Sequence, residues 1–125
     1  MLYVFLIHET SREFAARDED DPGHEPYLGA WKAYHKTLLA AGAYVGGSPL
    51  KPPGIATTVR VRDGGRRVQD GPFAEAKEQL GGFILLELPS LDAALEWAAR
   101  CPAAARGAVE VRPVDGTFQD LVGCE

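Results

Sequence analysis

Two short runs of the sequence are apolar without interruption, and they restrict the fold of the chain more than any other feature. The first covers residues 2–7 (LYVFLI) and the second covers residues 83–86 (FILL). A strand that does not alternate apolar and polar residues is typical of a sheet interior, where both faces are covered. We therefore expect two central strands, one at the start of the chain and one in its second half.

A helix is predicted after each of these strands. The first helix begins near Pro26, a residue favoured at the first helical position, and ends at Gly42. The second has Ser90 as its N-terminal cap and ends before Pro102. Apolar residues at three- and four-residue spacing predict one core-facing stripe per helix. The predicted stripes consist of Tyr27, Trp31, Tyr34, Leu38 and Ala41 in the first helix and of Leu91, Ala94, Leu95, Ala98 and Cys101 in the second.

The remaining segments complete a βαββαβ order. The segment AYVGGSPLKPPG suits an edge strand because it contains three prolines, and AVEVRPV is the last strand. After the edge strand, TTVRVRDGGRRVQDG alternates valine and arginine around a turn at residues 63–65, which is typical of a hairpin. Right-handed crossovers turn this order into a ferredoxin-like α+β fold, an antiparallel sheet with two helices on one face and an inserted β-hairpin. Because the helices cover one face only, we expect a homodimer in which sheet packing covers the other.

Length and charge limit the classes of protein to which the chain can belong. Its 125 residues predict a single domain over 1–125, with an acidic loop at 9–25 and a C-terminal tail at 116–125. The formal net charge of −5 argues against a nucleic-acid partner, which would need clustered Lys and Arg. Cys101 and Cys124 have no metal-like spacing, so a reduced, cytoplasmic protein is predicted. The apolar start is too short for a signal core or a membrane span, so no membrane partner is predicted.

The stretch DGPFAEAKEQLGGF at residues 70–83 has two interpretations. Pro72 fixes its own φ and biases Gly71 toward an extended conformation, so the chain must turn sharply there. One or two helical turns are predicted over residues 73–80, with Asp70 as their cap. Alternatively, a carboxylate held at a strand end by a rigid turn serves as a general base or orients a histidine. The sequence leaves both interpretations open.

The blocks DGPFAEAKEQLGGF, LDAALEWAARCPAA and GAVEVRPV resemble the YCII-related family, in particular its DGPF-domain branch. The resemblance extends from the first strand through AAGAYVGGSPL and TTVRVRDG to Val114. It implies a ferredoxin-like fold assembled into a dimeric α+β barrel. Some YciI-like relatives resemble enzymes that use a His and an Asp in a cleft, and DGPF members often occur beside extracytoplasmic-function sigma factors. Asp70 matches the Asp of the DGPF motif, and His35 is the nearest candidate for the helix histidine, about one turn displaced.

Three residues are candidates for acid–base catalysis: Asp70, His35 and His8. His35 is predicted on or beside the apolar stripe of the first helix, either as a satisfied core or interface histidine or as an acid or base in a cleft. His8 ends the first strand on the same side as Val4 and Leu6. It is either a ligand contact or a loop histidine.

Four further residues are candidate ligand contacts. Glu110 and Arg112 share one face of the last strand and either pair with each other or line a cavity. Tyr34 lies on the stripe of the first helix, and Glu75 belongs to the charged part of the 70–83 stretch. No metal site is predicted, because Pro22 occupies a ligand position when the acidic run at 18–25 is compared with a calcium loop.

Two functions are compatible with these residues. The first is a small-molecule enzyme that binds its substrate in a cleft between the sheet and the first helix, without an organic cofactor. Asp70 or His35 would transfer protons and Arg112 would hold an anionic group, in an isomerase- or lyase-like reaction. The second is a non-enzymatic module that binds a ligand or contacts a transcription regulator such as a sigma factor. An enzyme needs titratable groups that converge in a pocket, whereas a module does not.

Overall fold

The computed structural model describes residues 1–116 of the chain. The strands are β1 (Leu2–Glu9), β2 (Tyr44–Pro49), β3 (Thr57–Arg62), β4 (Gly65–Asp70), β5 (Gln79–Glu87) and β6 (Ala108–Pro113). The α-helices are α1 (Ser11–Ala15), α2 (His24–Ala40) and α3 (Leu91–Arg100). Two short 3₁₀-helices lie at Pro53–Ile55 and Pro102–Ala105.

The central strands are β1 and β5, in a four-stranded antiparallel sheet with the order β2-β5-β1-β6. This order confirms the prediction drawn from the two uninterrupted apolar runs. The glycine- and proline-containing strand β2 is an edge strand, as predicted. Within the described part of the chain, β3 and β4 pair only with each other and form the predicted hairpin between β2 and β5. The chain therefore has the ferredoxin-like βαββαβ order with an inserted β-hairpin.

The core lies between the sheet and the two longer helices. Alternate residues of β1 point toward the helices, and Tyr3, Phe5 and Ile7 are almost completely buried there. The helices add to the same cluster, which includes Tyr34, Leu38, Ala94 and Ala98. Both helices thus cover one face of the sheet, which confirms the predicted α+β arrangement.

Helix α2 begins two residues before the predicted position, at His24, and ends at Ala40. The chain leaves the helix through Gly42, which has a φ of 71° and therefore favours glycine. Ala41 is exposed, so its predicted core contact was wrong. The reason is that the helix has already ended and the chain turns toward β2.

Helix α3 agrees with its predicted ends but only partly with its predicted stripe. Ser90 caps the helix, since its Oγ accepts a hydrogen bond of 3.1 Å from the Ala93 N–H. Leu91 and Leu95 are half exposed, so their predicted place in the core was wrong. The helix packs through small side chains such as Ala94, and this orientation turns the two leucines outward.

The face of the sheet opposite the helices is only partly covered in a single copy. We call it the open face; its apolar residues are Val4, Leu6, Leu80, Phe83 and Leu85. Leu80 and Phe83 are 40% and 39% exposed, so the predicted burial of both faces is not achieved within one chain. Coverage of the open face by a second copy stays a prediction.

The segment predicted as an irregular acidic loop at 9–25 contains regular structure, so that prediction was wrong in its first part. Residues Ser11–Ala15 form α1, and Glu13 closes its N-terminus. One carboxylate oxygen of Glu13 accepts hydrogen bonds from the Thr10 N–H at 2.9 Å and the Thr10 hydroxyl at 2.7 Å. A Thr followed three residues later by Glu is a known signal for a helix start. The sequence therefore contained the signal for this helix.

The helical turns predicted over residues 73–80 are also absent from the described chain, which has no helix between β4 and β5. Instead, β5 begins at Gln79, which pairs with Glu9 of β1. The Gln79 side-chain amide donates to the carbonyls of Ala74 and Ala76, at 3.1 and 3.0 Å. The end of the 73–80 segment therefore pairs in the sheet and does not form a helical turn. Asp70 is the last residue of β4 and has no helix to cap.

Among residues 1–116, no helix has both the length and the apolar character needed to cross a bilayer. Most of the predicted tail, including Cys124, lies outside the described residues. The single domain over 1–125 and the cytoplasmic location stay predictions.

Candidate functional site

A cavity of about 560 Å³ lies between the sheet and α2. Residues of β1, α2, β2 and β5 line it, and we call it the helix-face cavity. Its aromatic lining residues on the helix-facing side are Tyr27, Trp31, Tyr34 and Tyr44. Its position matches the cleft that the enzyme hypothesis places between the sheet and the first helix.

The carboxylate of Glu9 is buried at one end of this cavity. Glu9 follows Tyr3, Phe5 and Ile7 on the helix-facing side of β1 and is only 3% exposed. Its Oε1 accepts a hydrogen bond of 3.0 Å from Arg17, and its Oε2 accepts one from the Tyr27 hydroxyl. A buried carboxylate needs such partners, because an unpaired charge in the interior costs on the order of several kcal/mol. Both carboxylate oxygens are therefore held in place.

Arg17 fixes the strands around Glu9. Its Nη2 also donates to the Gly81 carbonyl at 2.9 Å, and its Nη1 donates to the Leu50 carbonyl. Gly81 has to lack a side chain, because a Cβ there would lie 1.9 Å from Oε1 of Glu9. Arg17 thus joins the end of β1 to the start of β5 and to the residue that follows β2.

Tyr27 of α2 forms the polar edge of the helix-face cavity. Burial, together with the hydrogen bond to Glu9, raises the pKa of Tyr27 above its usual value. A phenol is protonated at neutral pH even with its ordinary pKa of 10.0, and the raised pKa of Tyr27 extends this range to higher pH. Its proton is donated to Glu9, while the phenol oxygen retains lone pairs that can accept a hydrogen bond from a ligand.

His24, the first residue of α2, supplies a group that can transfer protons. It lines the cavity, and its Nδ1 lies 2.9 Å from the carbonyl oxygen of Ala16. A carbonyl can only accept, so Nδ1 carries the hydrogen in this contact. In the neutral imidazole, Nε2 then has the lone pair of a general base. His24 is therefore the best-defined acid–base candidate in the cavity.

The remaining walls combine aromatic rings, bare backbone and aliphatic side chains such as Leu38 and Ile84. Tyr27 and Trp31 meet edge to face with ring centroids 6.3 Å apart, and the rings of His35 and Tyr44 do so at 4.7 Å. Glycines at positions 47, 81 and 82 line the sheet side. An aromatic wall opposite a backbone wall suits a small, flat, mostly apolar ligand with a few polar substituents.

Two of the predicted site residues line this cavity. His35 lies beside the buried stripe: it lines the cavity next to Tyr34, although its side chain is exposed to solvent. Tyr34 is 5% exposed and donates its hydroxyl to the Trp97 carbonyl at 2.7 Å. Burial raises the pKa of Tyr34, so this hydroxyl also stays protonated. The only proton of the Tyr34 hydroxyl is therefore already used in a hydrogen bond within the core.

Three other predicted site residues meet on the open face. Arg112 Nε donates to Glu110 Oε2 at 2.6 Å, which is the ion pair that their spacing allows. His8 Nε2 lies 3.3 Å from Glu110 Oε1. The hydrogen bond from Arg112 lowers the pKa of Glu110, with a smaller contribution from His8. His8 also borders a second cavity, of about 680 Å³, between the sheet and the base of the hairpin.

The last two predicted site residues lie apart from both groups. Asp70 ends β4 and Glu75 is in the exposed segment that follows; neither lines the two cavities described here. In the acidic run, Asp21 is paired with Arg12 at 3.0 and 2.7 Å, and this lowers the pKa of Asp21. Within residues 1–116, no three His, Cys, Asp or Glu side chains are grouped as metal ligands would be.

Four residues of the site were not predicted as such from the sequence: Glu9, Arg17, Tyr27 and His24. Glu9 had a usable signal, because it continues the alternation of Tyr3, Phe5 and Ile7 and so falls on the core side of a strand. Arg17 and His24 had none, since both belong to a polar segment whose path depends on tertiary contacts.

The family of the chain follows from comparison with known proteins. A model of the YCII-related domain matches residues 1–116. This chain belongs to the YCII-related family. An uncharacterised protein of Rhizobium meliloti (strain 1021) is 35% identical over 116 residues, which cover 91% of this chain and 92% of that protein.

A solved structure with the same fold is 5-chloro-2-hydroxyhydroquinone dehydrochlorinase (TftG) from Burkholderia phenoliruptrix AC1100, in complex with 2,5-dihydroxybenzoquinone. The TM-score is 0.52 with 19% sequence identity, over 92% of this chain and 94% of that chain. This likeness supports the ferredoxin-like α+β fold of the YCII-related chain described here.

Proposed function

We propose that this YCII-related protein is an enzyme that transfers protons on a small ring-shaped substrate in the helix-face cavity. The observation that carries the proposal is the buried Glu9 carboxylate, bound to the Tyr27 hydroxyl at the edge of a mostly apolar cavity with an aromatic wall. Buried titratable groups that converge in a pocket are typical of catalytic sites. The reaction class is isomerase- or lyase-like.

The cavity residues divide the chemistry between them. Nε2 of His24 accepts a proton from a C–H or O–H of the substrate, and the electron pair of that bond moves onto a ring carbonyl oxygen. Lys32, which also lines the cavity, offsets the negative charge that forms on this oxygen. The proton then returns to a different atom in an isomerisation. In an elimination, a leaving group departs with the electron pair.

Tyr27 and Glu9 position the substrate in this scheme. The phenol oxygen of Tyr27 accepts a hydrogen bond from a substrate hydroxyl, while Glu9 fixes the direction of the phenol. A hydroxylated ring meets both requirements of the cavity, since it is flat and carries polar groups at its edge. The TftG complex contains such a ring, 2,5-dihydroxybenzoquinone, and this molecule is a suitable first probe.

Several other roles and properties expected from the sequence are predictions for experiment. They are the catalytic roles of Asp70 and His8, the ligand contacts of Glu75, Glu110 and Arg112, and the absence of an organic cofactor. The homodimer, the DGPF-branch assignment and the alternative of a sigma-factor-associated module are predictions as well. The helix-face cavity favours the enzyme over the module, because a module needs no proton-transfer group in a pocket.

The test is an exchange experiment with 2,5-dihydroxybenzoquinone in D₂O, in which proton NMR follows the loss of its ring C–H signal. We expect the wild-type protein to accelerate exchange over buffer, and His24→Gln to lower that acceleration by about 100-fold or more. Tyr27→Phe should weaken binding measured by calorimetry. Glu19→Gln, a change at an exposed residue outside the cavity, is the control and should behave as wild type.

Each result decides between the two functions. Binding together with exchange that depends on His24 supports the enzyme. Binding with no exchange above buffer would overturn proton transfer and favour a ligand-binding module. If neither binding nor exchange is observed, the assignment of a ring-shaped substrate to this cavity is wrong.

A further inference from the structure

The hairpin formed by β3 and β4 is the most exposed regular structure in the described chain. Its strands pair with each other and with no strand of the main sheet. Val59, Val61 and Val68 are 56%, 62% and 56% exposed. An isolated two-stranded hairpin is marginally stable in water, and it needs a further apolar contact to be well formed. The described residues of one copy do not supply that contact.

The register separates the hairpin into a face that carries three valines, with Arg66 opposite Val61, and a basic face. Val59 lies opposite Val68, and Val61 lies beside them on the same face. We call these three residues the valine face. On the other face, Arg60 lies opposite Arg67. The valine face is therefore the surface that a partner would cover.

The basic face is already engaged within the chain. The guanidinium of Arg60 lies over the ring of Phe73, 5.2 Å from its centroid, and Arg60 also donates to Gln69 at 3.4 Å. These contacts stabilise one side of the hairpin by packing and cation–π attraction. No comparable contact is found on the valine face among residues 1–116.

The hairpin rises beside the open face of the sheet. The second cavity is bounded on one side by Thr57 and Thr58 at the base of the hairpin, and on the other by His8 and Leu80 of the open face. A partner protein that binds the open face therefore comes within reach of the hairpin. The open face offers this partner an apolar surface, on which Leu80 and Phe83 are the most exposed residues.

The distribution of charge indicates which partner binds the open face. The hairpin, residues 57–70, contains four arginines and two aspartates and so carries a net charge of +2. Because the whole chain carries −5, the rest of each copy carries −7. The hairpin of one copy is thus attracted to the main body of another copy, whereas two main bodies without hairpins would repel each other.

We propose that the hairpin is an arm that grips a second copy of this chain, with its valine face packed against the open face of that copy. In a two-fold arrangement each copy gives one arm and receives one, as an isologous interface requires. The arm adds apolar contact and opposite charge to a sheet-to-sheet interface. It also gives a role to the exposed valine face of the inserted hairpin.

The first test is sedimentation equilibrium of a matched set of variants. The double variant Val59→Thr/Val68→Thr keeps β-branched side chains, and hence strand propensity, but replaces a methyl group by a hydroxyl at two of the three positions of the valine face. We expect it to raise the dimer dissociation constant by about tenfold or more. Leu39→Gln changes a residue of α2 with similar exposure, 54%, and should shift the constant by less than about twofold. A monomeric wild type, or a dimer that the double variant leaves unchanged, would overturn the proposal.

The second test locates the arm directly. Val61→Cys, made in a Cys124→Ser background and labelled with a benzophenone maleimide, is photo-cross-linked in a mixture of ¹⁴N and ¹⁵N copies. We expect cross-links between isotopically different copies, from position 61 to peptides that contain residues 2–8 or 80–86. Cross-links confined to single copies would contradict the proposal. Cross-links to a foreign acidic protein in place of a second copy would contradict it equally.

Discussion

The carboxylate of Glu9 accepts a hydrogen bond from the hydroxyl of Tyr27, so the last residue of β1 is tied to the first turns of α2. The same carboxylate binds Arg17 at 3.0 Å. One buried side chain therefore connects the sheet, the α1–α2 connection and the wall of the helix-face cavity. Any change that moves Glu9 is expected to affect both stability and ligand binding.

Gly81→Ala is expected to displace Glu9. The added Cβ would lie 1.9 Å from Oε1, so the carboxylate must leave its partners or the strand must shift. We expect a loss of about 1–3 kcal/mol in the free energy of unfolding, the usual cost of leaving a buried polar group unpaired. Urea titration measures it. Gly46→Ala is the matched control in β2, because nothing lies within 4 Å of a Cβ there; equal losses in both variants would contradict the interpretation.

Gly29→Ala is expected to stabilise the protein. Gly29 lies inside α2, and an alanine Cβ there would meet no atom within 4 Å. Alanine has the higher helix propensity, so the free energy of unfolding should rise by up to about 1 kcal/mol. Thermal unfolding should show a higher midpoint. A lower midpoint would mean that the glycine has a role in the cavity that its open surroundings do not reveal.

Ser90→Ala is expected to destabilise α3. The Ser90 hydroxyl accepts from the Ala93 N–H, which would otherwise have no partner at the helix start. We expect the free energy of unfolding to fall by about 1 kcal/mol in Ser90→Ala, but by only roughly a few tenths of a kcal/mol in Ser90→Gly. Chemical denaturation of the two variants provides the comparison. If glycine were as costly as alanine or costlier, the capping account would be wrong.

Stability is expected to fall at high pH because of the buried phenols. Burial raises the pKa of Tyr27 and of Tyr34 above the ordinary value of 10.0. The folded protein then keeps these protons when the unfolded chain has lost them, so the contribution is complete below pH 10 and declines as pH rises above it. In urea titrations between about pH 9 and about pH 11, Tyr27→Phe should make the free energy of unfolding decline less steeply with pH. A slope identical to wild type would refute this assignment.

Cys101 is expected to be inert toward thiol reagents in the folded protein. It is 3% exposed, and burial raises the pKa of its thiol to about 12. At an assay pH of about 8, the reactive thiolate is therefore scarce and inaccessible. In a Cys124→Ser variant, reaction with Ellman's reagent should follow the unfolding rate and accelerate in urea. Rapid stoichiometric labelling of the native protein would show that the thiol is accessible.

The ion pair on the open face should be visible in the titration of Glu110. Arg112 is the main cause of the lowered pKa of Glu110, and His8 contributes less. Arg112→Gln should thus raise this pKa toward the ordinary value of 4.5, with a smaller rise for His8→Gln. The contribution of the pair to stability is present above that value and is lost as pH falls through the lowered pKa. Carbon-13 NMR of the side-chain carboxyl provides the measurement.

Much of the fold could be predicted because local patterns and tertiary packing agree there. The two uninterrupted apolar runs became the central strands, and Ser90 became a helix cap. Prediction failed where sheet pairing competed with local signals, as at residues 73–80, where Gln79 joins β5 opposite Glu9. It also failed for the outward-facing Leu95, because spacing identifies a stripe but not how far the helix is rotated about its axis.

The sequence by itself determined the order of the elements, the central place of two strands and the membership of a family. These features depend on short-range patterns of apolar residues, caps and turns, which can be identified from neighbouring letters. Only the tertiary structure decided that Glu9, Arg17, His24 and Tyr27 meet at one cavity, and that His8 and Glu110 meet on the opposite face. Such groupings depend on the register of strands and on the path of a polar segment. Both are set by contacts between residues that are distant along the chain.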